Sequence, residues 1–263
     1  DEPRWDAYLL KSADSNFASR TPWRDIVSLT FGCPPDWRFA ERDGRVVGVL
    51  PLFEKRSFGR VRQLFSAPGG LIADDAEAAA ALLAPARERV EREALELLEL
   101  RDQRTRWDDL VTTEEHCTMV LALEGGPDAQ WKAFGFKLRN KIRKAQKSGL
   151  TARWGRELLP AWHRVMLENM RDLGTPLQDC GYFARVLEGY AGDAEIEVVE
   201  CEGRPVGALA SVRHGETCAN PWSSSLRAYL ERCPNHLLYW EALKRAIEHG
   251  ARRFDFGRSQ WQS

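Results

Sequence analysis

Short apolar runs alternate with turn residues along this chain, and one such pattern occurs twice. Residues 41–53 read ERDGRVVGVLPLF and residues 200–212 read ECEGRPVGALASV. In each, an acidic-Gly-Arg turn separates two apolar runs. That predicts a β-hairpin, because glycine supplies the positive φ that a tight turn needs. Gly44 and Gly203 are 159 positions apart, and so are Gly48 and Gly207. The first hairpin is followed by a Pro68-Gly69-Gly70 loop, an Ala-rich helical stretch at 75–93 and the strand-like LELLELR ending at Arg101. After the second come a polar loop, Asn220-Pro221-Trp222-Ser223-Ser224-Ser225, a helical stretch at 235–249 and the strand-like RRFDFGR ending at Arg258. Hairpin, loop, helix and strand in the same order twice is the signature of internal duplication.

Elsewhere, residues 5–11 and 16–31 read as helices, the second with Phe17, Trp23, Ile26, Val27 and Phe31 on its apolar side and Thr21-Pro22 as its start. Residues 55–59 read as a turn, 61–66 as a short strand, and TMVLAL at 118–123 as a buried strand. Glu124-Gly125-Gly126-Pro127 is the sharpest boundary signal and divides the chain into lobes 1–126 and 127–263. Beyond it, Asp128 is placed to cap a single helix ending at Gly149. Its buried face would be Trp131, Phe134, Leu138, Ile142 and Ala145, at steps of three and four. A strand at 150–154, a helix at 158–173 stopped by Gly174-Thr175-Pro176, a helix at 182–190 and a strand at 196–199 lead into the second hairpin.

Composition narrows the classes. In 263 residues, 43% hydrophobic and 29% charged, there is ample core material for one large or two modest domains. The net charge of -1 gives no global basic field, so any site for a polyanion must be local. No apolar run approaches a membrane span, and the N-terminus has no secretory pattern. The six cysteines form no CxxC pair, so buried thiols in a reducing cytoplasm are expected. Cys201 and Cys218 are expected on neighbouring strands. No metal site, Walker loop, dinucleotide fingerprint or Ser-His-Asp spacing is present, which leaves chemistries that need positioning and one base.

Two regions carry candidate chemistry. Lys132, Lys137, Arg139, Lys141, Arg143, Lys144 and Lys147 crowd one helix. They suit a solvated face, or a strip for the phosphates of a nucleotide-bearing donor or a tRNA acceptor stem. Arg139 and Arg143, one turn apart, are spaced to clamp one phosphate, and Phe136 is placed to stack a base. The second region holds Trp222 and Ser223, then Asn235, His236, Tyr239 and Glu241 around a helix N-terminus that offers free amides. Asp255, Arg258 and Ser259 close the last strand, where Asp255 serves equally well as a base or as one half of an ion pair.

The runs WKAFGFKLRNKIRKAQKSGL, MRDLGTP, EGRPVGALASV, NPW and NHLLYWEALKRAIEHGARRFDFGRS resemble the FemAB-like proteins of the GNAT acyltransferase superfamily, nearest the exosortase (PEP-CTERM) system-associated branch. The resemblance spans nearly the whole chain. It implies an α/β fold of two tandem GNAT-like lobes with a cleft between them, each lobe a mixed, mostly antiparallel sheet flanked by helices. It also implies transfer of an acyl or aminoacyl group from acyl-CoA or aminoacyl-tRNA to an amine of a small molecule, glycan, lipid or peptide, with cell-envelope or exopolysaccharide biosynthesis as the setting. No tightly bound cofactor is implied. On that reading Arg139, Arg143 and Lys144 neutralise donor phosphate, and Trp222, Ser223, Asn235, His236 and Arg258 shape the substrate pocket. Asp255 or Glu241 is the base, and Tyr239 protonates the leaving group. The pyrophosphate loop Arg/Gln-x-x-Gly-x-Gly/Ala before a helix is not found, which weighs against acyl-CoA and leaves a non-catalytic GNAT-like binding module as the rival. Relatives continue past FDFGRS with a further basic-aromatic strand, so the chain is expected to continue beyond Ser263.

Overall fold

The computed structural model describes residues 2–58, 60–102, 107, 110–123 and 125–260. Gly59 of the expected turn and Glu124 of the expected boundary lie outside the described residues. The chain forms two compact units, 1–113 and 114–263.

In the first unit, helices α1 (Glu2–Leu9) and α2 (Thr21–Phe31) precede strands β1 (Pro35–Arg42), β2 (Arg45–Ser57), β3 (Arg60–Ser66) and β4 (Ile72–Ala73), then helix α3 (Ala76–Arg92) and strand β5 (Leu97–Glu99). The sheet runs β1-β2-β3-β5, with β4 on β2. The first three strands are antiparallel and β5 is parallel to β3. Leu82 and Leu83 of α3 close the core over Leu50, Leu52 and Leu64. Arg89 of α3 also reaches Asp36 on β1 and Glu54 on β2, tying helix to sheet by charge as well as by apolar burial.

The second unit comprises β6 (His116–Ala122), α4 (Gly126–Ala133), α5 (Phe136–Lys147), β7 (Leu150–Trp154), α6 (Leu159–Asp172), α7 (Cys180–Gly189), β8 (Ala194–Cys201), β9 (Arg204–His214), β10 (Thr217–Ser225), α8 (Pro234–Glu248) and β11 (Arg253–Gln260). Its sheet runs β6-β11-β10-β9-β8-β7. The core under α8 joins Leu237, Leu238 and Leu243 to Val199, Leu209 and Phe254.

The duplication is visible in three dimensions. β1-β2-β3-α3-β5 and β8-β9-β10-α8-β11 share one topology, three antiparallel strands, a helix, then a strand parallel to the third. The two turns also match. Asp43 and Gly44 have φ of 50° and 75°, Glu202 and Gly203 52° and 78°. The second glycine of each pair lies under the helix of its own unit. A Cβ on Gly48 would sit 3.0 Å from Leu82, and one on Gly207 2.9 Å from Leu238.

Four details depart from the sequence reading. The 118–123 stretch is an edge strand of the second sheet, paired with β11, so the division falls at 113/114 rather than 126/127. Being at the edge, it leaves Met119 60% and Val120 52% exposed rather than buried. The helix expected from 128 to 149 is two helices, because Phe134 and Gly135 are both extended between α4 and α5. The break lets Trp131 and Phe134 both pack on Trp240. Leu138 is turned outward, and Gly125 in the left-handed conformation, not Asp128, precedes α4. Finally, Cys201 and Cys218 lie on β8 and β10 with β9 between them, and all six cysteines are free.

The Gly203 φ makes a direct prediction. An alanine there meets no neighbour, so its cost is backbone strain alone. Gly203→Ala should destabilise the second unit by about 1–2 kcal/mol in urea unfolding.

Candidate active site

The site grows from the place where two parallel strands part. β10 pairs with β11 only at Thr217, Cys218 and Ala219, opposite Arg253, Phe254 and Asp255. Beyond that point β10 bulges between Ala219 and Trp222, and β11 between Asp255 and Arg258. Residues 220–225, expected as a loop, are the second half of β10. Pro221 has no N–H to give the ladder, and the Asn220 side chain takes its place, donating to the carbonyls of Ala210 (2.8 Å) and Trp222 (3.0 Å). Asn220 is 2% exposed, and its Oδ1 accepts no hydrogen bond from the described residues. On the facing strand Gly257 adopts φ of 80°, and a Cβ there would lie 3.0 Å from the Asn220 carbonyl oxygen. The Gly257 N–H turns inward to Asp255 Oδ1 at 2.7 Å. Past Ala219, the edge of β10 that faces β11 has no ladder partner among the described residues.

α8 is fixed to the free half of β10 by two side-chain bonds. Ser223 shares a 2.8 Å hydrogen bond with the Tyr239 hydroxyl, and Ser225 donates to Asn235 Oδ1. Steps of two on the strand and four on the helix bring both pairs to one seam. Tyr239 also packs on Phe256 at 5.4 Å between ring centroids. No side chain caps the N-terminus of α8, which starts from Cys233 in the left-handed conformation. The corresponding helix of the first unit differs. Asp75 caps α3, accepting from the Ala78 N–H, and is held by Arg42 at 2.7 Å. The Arg42 bond, then the Ala78 N–H, bring the Asp75 carboxyl down to about 2. One repeat caps its helix start with its own carboxylate, and the other leaves it without a side-chain cap among the described residues.

α5 packs beside α8 and carries Lys137, Arg139, Lys141, Arg143, Lys144 and Lys147. None of these six makes an ion pair with a described residue. Arg143 lies over the Trp131 ring at 5.4 Å, and Arg139 has a buried Nε without a hydrogen-bond partner among the described residues. Phe136, 67% exposed, stands at the uncapped start of α5. Between α5 and α8, His236 has a buried Nδ1 without a partner. Burial first, then Lys141, keep its imidazole below the usual proton affinity.

The opposite face of the sheet is built by α6 and α7. Trp222 packs edge-on against Phe183 (5.5 Å) and Tyr182 (6.1 Å), and Asn169 of α6 donates to Ser224 Oγ at 3.1 Å. Phe254 and Phe256 belong to the core under α8, so alternation directs Asp255 to this other face. Burial raises the Asp255 carboxyl, opposed only by the Gly257 N–H. No ion pair joins it to Arg258, which is exposed beyond the bulge.

The structure therefore gathers Ser223, Asn235, His236 and Tyr239 on the α8 side and Trp222 and Asp255 on the other, with the strand gap between. Glu241 is not brought in. It pairs with Lys244 at 2.7 Å and faces β8, about half a turn around α8 from Tyr239, which argues against its role as base. Asn169, Tyr182 and Phe183 were missed. The only signal for Asn169 was a polar residue within an amphipathic helix.

Comparisons with known proteins agree with the fold. Residues 136–262 match the family model described as an acetyltransferase (GNAT) domain. Solved structures of the same fold include FemX, at 18% identity and TM-score 0.78 over 100% of this chain and 88% of that one. L-PGS from Bacillus licheniformis aligns at 13% identity and TM-score 0.59, over 99% and 79% of the two chains. The tandem GNAT protein from the clavulanic acid biosynthesis pathway aligns at 13% and 0.52, over 99% and 86%. A comparison with curated protein sequences gave no match. The fold is that of tandem GNAT-like proteins, and the family match supports a GNAT-type transferase domain in the second unit.

Two measurements check the site. Tyr239→Phe should cost about 1 kcal/mol, and a double-mutant cycle with Ser223→Ala should show the two losses coupled. In an NMR titration His236 should protonate below the usual imidazole range, and Lys141→Met should move its midpoint upward. Because the lowered affinity belongs to the folded state, the stability it confers is full above the ordinary imidazole pKa and is lost as pH falls toward the folded value.

Proposed function

We propose that the second unit transfers an acyl or aminoacyl group from a phosphate-bearing activated donor to an amine. The observation that carries this is the edge of β10 left without a ladder partner among the described residues. It is bordered on the α8 side by a helix N-terminus without a side-chain cap and by α5 cations without an ion-pair partner, likewise among those residues. Donor phosphates would lie against Arg139, Arg143 and Lys144 and the positive end of the α8 dipole. The activated carbonyl would reach the strand gap, where backbone groups of β10 without ladder partners support the developing oxyanion. The amine would enter from the Trp222 face. Asp255, its proton affinity raised by burial, would take the proton lost on attack, and the Tyr239 hydroxyl would protonate the leaving group.

The α5 cations extend along the whole 12-residue helix, further than one pyrophosphate needs, and Phe136 is free to stack. Both features support aminoacyl-tRNA over acyl-CoA, as does the missing pyrophosphate loop. The motifs RNKIRKA, LYW and FDFGRS support the FemAB-like, exosortase-associated branch, with a cell-envelope or exopolysaccharide amine as acceptor. No helix among the described residues is long and apolar enough to cross a membrane.

Thermal stabilisation by charged tRNA, steeply weakened by salt, is the expected result. Stabilisation by coenzyme A thioesters with a shallow salt slope would reassign the donor, and indifference to both would favour a non-catalytic module. With a competent donor, Asp255→Asn should lower kcat about 10²–10⁴-fold with little change in donor affinity. Replacing Arg139, Arg143 and Lys144 together by Gln should weaken donor binding and flatten the salt dependence, leaving the fold intact.

A further inference from the structure

Glu197 takes no part in the site described above, yet it is a carboxyl group shut inside the second unit. It lies on β8, fully buried, and neither carboxyl oxygen has a hydrogen-bond partner among the described residues. Its neighbours on the strand are satisfied. Arg245 holds Glu195 at 2.7 Å, with His249 at 3.6 Å, and Arg153 holds Glu200 at 3.1 Å. In register, Glu197 stands between Trp154 on β7 and Leu209 on β9, neither of them charged. The short turn 156–158 packs on β8 as well, with Arg156 and Glu157 both exposed.

The charges that face Glu197 come from α8. Glu241 and Lys244 are both within electrostatic reach. They are paired with each other at 2.7 Å, and Lys244 also sits over the Trp240 ring at 5.7 Å. The nearby cation is thus already engaged, and the other neighbour is a like charge. A carboxylate here would be cut off from bulk solvent and would have no donor among the described residues, a penalty a buried acid avoids by keeping its proton. Burial first, and Glu241 second, raise its proton affinity, with Lys244 opposing.

We propose that Glu197 is a neutral, protonated acid that seats α8 on the sheet, and that its ionisation is the pH-dependent event that loosens this helix. α8 carries Tyr239, Asn235 and the uncapped N-terminus, so Glu197 acts on them as a positioning residue, through the helix rather than by touching a ligand. The inference concerns the seat of α8 and does not depend on the transferase reading.

The sign follows from linkage. In the unfolded chain Glu197 ionises in the ordinary carboxylate range, whereas in the folded unit it holds its proton to higher pH. Stability is therefore full below the ordinary range and is lost as pH rises toward the folded value. Glu197→Gln keeps the neutral shape and removes the titration. The ratio of the unfolding constant of the wild type to that of E197Q should rise with pH, about tenfold per pH unit inside the window. Adding Glu241→Gln to the wild-type background should carry the start of the folded-state ionisation to lower pH. A ratio that stays constant from about pH 5 to 9 would overturn the proposal. Should E197Q fail to fold, ¹³C titration of the wild-type carboxyls decides. A Glu197 resonance still protonated at neutral pH supports the proposal, and one already ionised there overturns it.

Discussion

The transfer site proposed for the second unit depends on a parallel pair of strands that pairs over three residues and then parts. The cause is local. Pro221 cannot donate to the ladder, Asn220 fills the resulting bulge with its own amide, and its carbonyl stands so close to β11 that only Gly257 fits opposite. A sheet interior normally leaves no backbone group unpaired, because each one costs free energy. Here the ladder between β10 and β11 ends at Ala219 and Asp255 among the described residues, and the two sheet faces present different chemistry to the gap beyond. On one face lie Tyr239, Asn235 and His236; on the other, Trp222 and Asp255. An acyl transfer needs a donor and an acceptor delivered from different directions, and a parted sheet provides that without a moving element.

The first unit shows what the same repeat looks like without such a site. Its turn, its helix-facing glycine and its strand order repeat those of the second unit. The end of its helix is nevertheless closed by Asp75 and Arg42. Its loop at 68–70 is likewise occupied from within, where Asp102 accepts hydrogen bonds from the Leu71 N–H and from Trp107. A side chain on Gly70 would collide with that carboxyl. The duplicated scaffold is therefore kept by turn and packing residues, and the difference in chemistry comes from a few polar residues at the helix starts and loops.

That division of labour also explains what could be read from the sequence. The duplication was legible because Gly44, Gly48, Gly203 and Gly207 are demanded by φ and by close packing, which few other residues satisfy. The buried strand expected at 118–123 fell within the first lobe because an apolar run records burial tendency and not its partner, which is β11. The 128–149 helix was read as continuous because steps of three and four ran smoothly through Phe134 and Gly135, and nothing local announced the extended backbone between them. Tyr239, Asn235 and Ser223 could be placed in one region by their position near a predicted helix start. That Glu241 would face away, and that Asp255 would lie across the sheet from Tyr239, depended on the register of three strands and the helix above them. Glu197 was hidden because Glu195-Ile196-Glu197-Val198 alternates as a strand with one solvated face does, and its burial depends on α8 covering that face.

The account stands or falls on where a donor touches the protein. Amide hydrogen exchange with and without saturating charged tRNA or coenzyme A thioester tests this directly. Added protection should concentrate in the second half of β10, in the first turn of α8 and along α5. Protection confined to the first unit, or none at all with a donor shown by other means to bind, would contradict it.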